Sequence, residues 1–161
     1  MKLAERKQNT KNIVFLIIGD GTERQRIEKI AREKELTNVI FQNTISREDY
    51  NELTKECEVG LICLNEKFTI PNIPSKTLSY FNAKIPVLAS VDKNTDYGQL
   101  LENSKSGLWS ITGDIDAYER NFDTLYDNEV LRKEMGENGN IYLQKYLTSE
   151  IAYQTIMSNF S

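Results

Sequence analysis

Five short apolar runs recur along the chain with amphipathic stretches between them, and this alternation narrows the possible folds more than any other feature. The runs are Ile13–Ile18, Val39–Gln42, Val59–Leu64, Val87–Ser90 and Leu108–Ile111. The first is apolar throughout, which is the pattern of a parallel strand covered on both faces. Helix-start signals lie between the runs. Thr22-Glu23-Arg24-Gln25 reads as a capping box ahead of Ile27, Ile30 and Ala31, and Ser46-Arg47-Glu48-Asp49 repeats it ahead of Tyr50, Leu53 and Cys57. Asp96 to Leu101 predicts a short helix, and Asp114 caps another that carries Ile115, Tyr118, Phe122 and Leu125. Strands alternating with helices imply right-handed crossovers. The expected fold is therefore α/β: a three-layer, Rossmann-like open parallel sheet with helices on both faces.

No repeat, low-complexity tract or linker breaks this pattern, and 161 residues suit one domain spanning the whole chain. The final third turns helical. Asn128 can cap a helix through Leu131 and Met135, which Gly136 and Gly139 are expected to loosen or interrupt. Tyr153, Ile156, Met157 and Phe160 then form a stripe at helical spacing. That stripe either packs on the domain's own sheet or docks on a partner domain.

Charge and composition exclude several classes. A net charge of -4 argues against a nucleic-acid binder, and the early basic residues Lys2, Arg6, Lys7 and Lys11 read as a solvated helix face. No apolar run approaches the ~20 residues that cross a bilayer, and nothing at the start resembles a secretory signal. Cys57 and Cys63 lack metal-ligand spacing, so buried free thiols in a reducing cytosol are expected. With a histidine count of 0, any imidazole base must come from outside this chain. No Asp/Glu pair stands out for acid–base work, and Ser, Cys and Asp without His make no nucleophilic triad.

In open α/β folds ligands bind beyond the carboxyl ends of the strands. The loops to watch are Gly19–Thr22, Asn43–Ser46, Asn65–Ser75 and Val91–Thr95. Gly19-Asp20-Gly21 can cradle a phosphate, or it can simply be the glycine that a tight turn needs. The segment from Phe68 to Ser90 holds all 3 prolines, Pro71, Pro74 and Pro86. Its first two stiffen a loop that feeds a helix start at Ser75, with Leu78, Phe81 and Asn82 facing inward. Ser75 can cap that helix while Lys76 adds a point charge suited to phosphate. A capped helix with a surface lysine is the plainer reading. Tyr80 and Phe81 are expected in the core.

Taken in order, these segments resemble the carboxy-terminal, donor-binding half of a group 1 glycosyltransferase with the two-domain GT-B fold. The likeness is greatest to the bacterial branch that builds capsule, O-antigen and exopolysaccharide. Phe15 to Gly21 with Glu23 resembles the family's "GDGPE" strand and turn. Asn38-Val39-Ile40-Phe41 is similar to its second strand, and Cys57-Glu58-Val59-Gly60-Leu61 to the "aDvgl" strand. Pro74-Ser75-Lys76, Tyr80 and Pro86-Val87-Leu88-Ala89-Ser90 resemble "PSKxxEYxAxGxPVxAS". Gly107-Leu108 with Gly113-Asp114 resembles "GlvvppgD", and Leu131 to Gly136 the late "elrxxmG" helix.

The resemblance implies transfer of a sugar from a nucleotide diphosphate donor, of UDP type, usually with retention and without a bound metal or other cofactor. It implies that Ser75 and Lys76 face the diphosphate, that the loop from Gln42 through Asn43 to Ile45 borders the base, and that Gly19 sits on the cleft floor. The family's two spaced glutamates are replaced here by Pro71 and Ser79, of which Ser79 can still bond a ribose hydroxyl. Lys84 and Asn43 stand where glycine is usual. No catalytic residue is assigned. The family's first strand and its acceptor-binding domain are expected to be missing, leaving this chain unable to transfer sugar alone and open to homodimerising through its last helix. A cytoplasmic enzyme, with a peripheral place on the inner membrane face when full length, is the implied setting. A non-catalytic Rossmann-like binding module and half of a nucleotide-sugar epimerase are the alternatives.

Overall fold

A computed structural model describes residues 1–65 and 72–159. Pro71 and Phe160, both named in the expectations above, lie outside the described residues. The chain runs α1 (Lys2–Arg6), β1 (Phe15–Ile18), α2 (Arg24–Glu33), β2 (Val39–Gln42), α3 (Arg47–Lys55), β3 (Gly60–Cys63) and α4 (Lys76–Asn82). It continues β4 (Val87–Val91), α5 (Tyr97–Ser104), β5 (Gly107–Ile111), α6 (Ile115–Asp127), α7 (Glu129–Tyr146) and α8 (Ser149–Met157). The elements group into two compact units, residues 1–50 and 51–161.

In the first unit β1 and β2 pair in parallel from Phe15↔Val39 to Ile18↔Gln42. Leu3, Ala4, Ile13, Phe15 and Ala31 are its buried apolar residues. The buried Asn38 amide donates to Ala4 O at 2.8 Å, fixing α1 to the entry of β2. Ile40 of β2 is exposed and Leu16 to Ile18 of β1 are only half-buried, so this small sheet is only partly covered.

In the second unit β3, β4 and β5 form a parallel sheet with β4 at the centre. Val87, Leu88 and Ala89 are all fully buried, although alternate residues of a strand point to opposite faces. Both faces of β4 are thus covered, as parallel crossovers require. Ile62, Val87, Ala89 and Val91 pack with Phe81, Tyr97, Leu101 and Leu143 from the helices. The parallel α/β architecture with helices is the one expected, and each strand lies within two residues of its predicted bounds.

Several local expectations fail for identifiable reasons. The capping box at Thr22 does not form: Glu23 occupies the cap position without a side-chain bond and pairs with Arg26 instead. The chain has already turned, because Arg24 N donates to Gly21 O at 3.0 Å. Helix α5 begins one residue later than expected and runs further, to Ser104. Its entry is organised by Asp92, whose Oδ1 accepts from Asn94 N and Thr95 N, and by Thr95 Oγ1, which accepts from Tyr97 N.

Gly136 and Gly139 do not interrupt α7, which is continuous over 18 residues. A Cβ at Gly136 would lie 1.9 Å from Lys84 O, and one at Gly139 would lie 2.7 Å from the Phe81 ring. The glycines let α7 rest directly on the end of α4, where Asn140 also donates to Phe81 O. On α4 itself the buried face is Thr77 and Phe81, whereas Leu78 and Asn82 are exposed. Cys63, at the end of β3, is exposed rather than buried, and Cys57 is half-buried. The terminal stripe finds no cover among the described residues: Tyr153, Ile156 and Met157 on α8 are all exposed. No helix among the described residues is long and apolar enough to cross a membrane.

Candidate functional site

The first unit brings three of the six expected site residues together. Gly19 follows β1 and Gln42 closes β2, so both lie at carboxyl ends of paired parallel strands, with Asn43 next along the loop. Gly19 N donates to Gln42 O at 3.1 Å, the last rung of the ladder. Gly19 has φ +110 and nothing within 4 Å of where a Cβ would stand, so its backbone and not crowding calls for glycine. Asn43, where the resemblance implies a glycine, does not take a left-handed backbone. Its exposed side chain, like that of Gln42, faces outward.

Two further contacts tie these loops, and neither was foreseen. Thr44 Oγ1 donates to Asp20 Oδ2 at 2.9 Å. Arg24 Nη1 donates to Gly19 O at 2.7 Å and to Gln42 O at 2.9 Å. The guanidinium lies over the Phe41 ring at 5.2 Å, and its Nε is held by Glu28. A groove of about 550 Å³ runs beside α2 and β2, lined by Ala31, Leu36, Val39 and Phe41 among others, but none of the six expected residues lines it.

The second unit carries Ser75, Lys76 and Ser79 on one short helix. Ser75 and Ser79 stand one turn apart and share a face, with Lys76 beside them. Ser75 makes no side-chain cap bond. Its backbone is already helical, and the turn bonds begin with Thr77 N to Pro74 O and Leu78 N to Ser75 O. The N–H groups of Ser75 and Lys76 precede those bonds, so the start of α4 presents donors even though the predicted cap is absent.

This helix start rests on a buried polar anchor. The Thr77 and Tyr97 hydroxyls meet at 2.7 Å, and both residues are fully buried. Burial pushes the Tyr97 phenol far above its ordinary range, although the bond to Thr77 pulls the other way, so it stays neutral at any physiological pH. Tyr80 is half-buried and Phe81 fully so, as expected of core residues. The absence of a side chain at Gly60 leaves room for the Tyr80 ring, whose hydroxyl donates to Leu61 O at 3.3 Å. Lys84, where the resemblance implies a glycine, has φ 57, a left-handed backbone that glycine adopts more readily.

Comparison with known proteins gives the family and the fold. The family profile "Glycosyl transferases group 1" matches residues 1–141. Over 108 residues the chain is 27% identical to UDP-glycosyltransferase TURAN of Arabidopsis thaliana, covering 66% of this chain and 23% of that protein. Among solved structures, TarM of S. aureus in complex with UDP superposes with a TM-score of 0.77 at 20% identity, covering 96% of this chain and 31% of TarM. HepE of Anabaena in complex with UDP-glucose superposes with a TM-score of 0.74 at 16% identity, covering 97% of this chain and 43% of HepE. The chain spans less than half the length of each of these relatives. Its fold is that of the carboxy-terminal half of a GT-B enzyme, and the chain belongs to the group 1 glycosyl transferases.

Proposed function

We propose that this chain is the donor-binding part of a glycosyltransferase that moves a sugar from a UDP-type nucleotide sugar onto a growing cell-surface polysaccharide in the bacterial cytoplasm. The observation that carries the reading is the group 1 profile across residues 1–141. That TarM was solved with UDP and HepE with UDP-glucose supports the choice of donor. Gly19, Gln42 and Asn43, joined at the strand ends, border the nucleotide base. Ser75 and Lys76, at the start of α4, face the diphosphate, and the Ser79 hydroxyl bonds the ribose.

The chemistry asked of Lys76 is electrostatic. As the bond from sugar to diphosphate breaks, negative charge gathers on the departing nucleotide, and a fixed ammonium with adjacent N–H dipoles stabilises it. Lys76 is exposed and belongs to none of the ion pairs among the described residues, so its charge is available to a ligand. By resemblance to the family, the reaction is read as retaining and as needing no metal.

Titration calorimetry with UDP, GDP and ADP tests the proposal. UDP should bind, and Lys76→Ala should weaken it about tenfold, the equivalent of ~1.4 kcal/mol. Failure of every nucleotide to bind would instead favour a non-catalytic module, a reading that Ser79 in place of a ribose-binding carboxylate would then explain.

A further inference from the structure

We propose that Arg24 is a positioning residue for base recognition, acting through the two loops it joins; this rests on the donor-binding reading of Gly19, Gln42 and Asn43. The parallel ladder between β1 and β2 ends at the bond from Gly19 N to Gln42 O. Beyond it the chain leaves for two different loops, and no further rung holds them in register. Arg24 replaces that rung. One nitrogen, Nη1, spans Gly19 O at 2.7 Å and Gln42 O at 2.9 Å, so the two loop bases share one donor group.

The guanidinium is itself held from two other directions. Glu28, one helical turn on, takes Nε, and the Phe41 ring of β2 lies against the cation at 5.2 Å. Charge-assisted bonds of this kind are stronger than neutral ones, and the planar fork keeps all three partners in fixed geometry. The Arg24 side chain is only 13% exposed, and three of its five N–H donors are committed to protein groups. It therefore acts on a ligand through the Gly19 turn and the Gln42–Asn43 loop and does not itself form the contact. Thr44 to Asp20 is a second tie between the same loops, further out and between exposed side chains. Lysine cannot substitute, because a single ammonium cannot hold two carbonyls and Glu28 in one plane.

The test compares UDP, ADP and inorganic pyrophosphate as probes of the intact chain, with circular dichroism confirming that each variant is folded. Arg24→Met and Arg24→Lys should weaken UDP about tenfold and erase its advantage over ADP, while pyrophosphate binds as before. Lys76→Ala should weaken UDP and pyrophosphate alike. Should Arg24→Met fail to fold, Glu28→Gln releases only one restraint and is expected to weaken UDP about threefold with pyrophosphate unchanged. Retention of UDP affinity and base preference by the folded Arg24 variants, with Lys76→Ala still impaired, overturns the role of Arg24 alone. Equal loss of pyrophosphate in the Arg24 variants marks a merely structural residue and overturns it too. No binding of UDP by the wild-type chain overturns the donor-site reading and this inference together.

Discussion

The two units of this molecule are stabilised in different ways. In residues 51–161, β4 is buried on both faces and the helices close over it with apolar side chains at near-zero exposure. In residues 1–50 a two-stranded sheet leaves Ile40 exposed, and polar groups hold the elements in place: Asn38 on Ala4 O, Arg24 on two strand ends. Dense apolar packing is insensitive to direction but sensitive to volume. Polar clamps contribute less and specify geometry more. Geometry in the first unit thus depends on a few directed bonds, and in the second on how completely the core is filled.

The sharpest way to break this contrast is to remove a ring from each core. Phe81→Ala, in the fully buried cluster, should lower unfolding free energy by about 3–5 kcal/mol. Phe15→Ala should cost less, roughly 2–3 kcal/mol, because a less complete shell leaves a smaller cavity behind. Urea denaturation of both variants decides it; equal losses would mean that the first unit is as tightly packed as the second.

Adding volume probes the same packing from the other side. Gly136→Ala would press a methyl into Lys84 O, so α7 must lift from α4. A loss of about 1–3 kcal/mol is expected, despite the better helix propensity of alanine. A neutral or stabilising result in thermal unfolding would show that α7 yields without consequence.

The smallest effects separate a cap that is made from one that is not. Asp114 Oδ1 accepts from Ala117 N at 2.9 Å, and its loss in Asp114→Ala should cost about 1 kcal/mol. Ser75 makes no such bond, so Ser75→Ala should change stability by less than about 0.5 kcal/mol. Its effect should fall instead on nucleotide affinity. A stability loss at Ser75 matching that at Asp114 would contradict the geometry of α4.

The parts of the fold legible from sequence were those set by neighbouring residues. The run at β4 is apolar and continuous because both its faces are covered, and caps at Ser46, Asp114 and Asn128 are local bonds that form as expected. Thr22 and Ser75 carry the same type of signal, but the turn that precedes each helix places the backbone out of reach. The glycines of α7 suggested weakness, since each costs about 1 kcal/mol of helix propensity against alanine. Contact with Lys84 and Phe81, more than fifty residues away in sequence, reverses that meaning.

Arg24 left one faint trace. A cation in the first turn of a helix opposes the helix dipole, and an Arg followed by Glu four residues later is the less favourable order of that pair. A residue placed against two local preferences is occupied elsewhere, here by the carbonyls of Gly19 and Gln42. The Pro-Ser-Lys segment, by contrast, was visible as a motif, yet its predicted cap is absent while its N–H groups and Lys76 remain in place.

By itself the sequence determined the α/β class and the order of strands and helices, because periodicity and local hydrogen bonding depend on residues a few positions apart. The tertiary structure alone decided that Arg24 joins two strand ends, that Thr77 and Tyr97 anchor α4, and that α7 needs its glycines. Each of those depends on distances between segments far apart in the chain, which only the packed fold brings together.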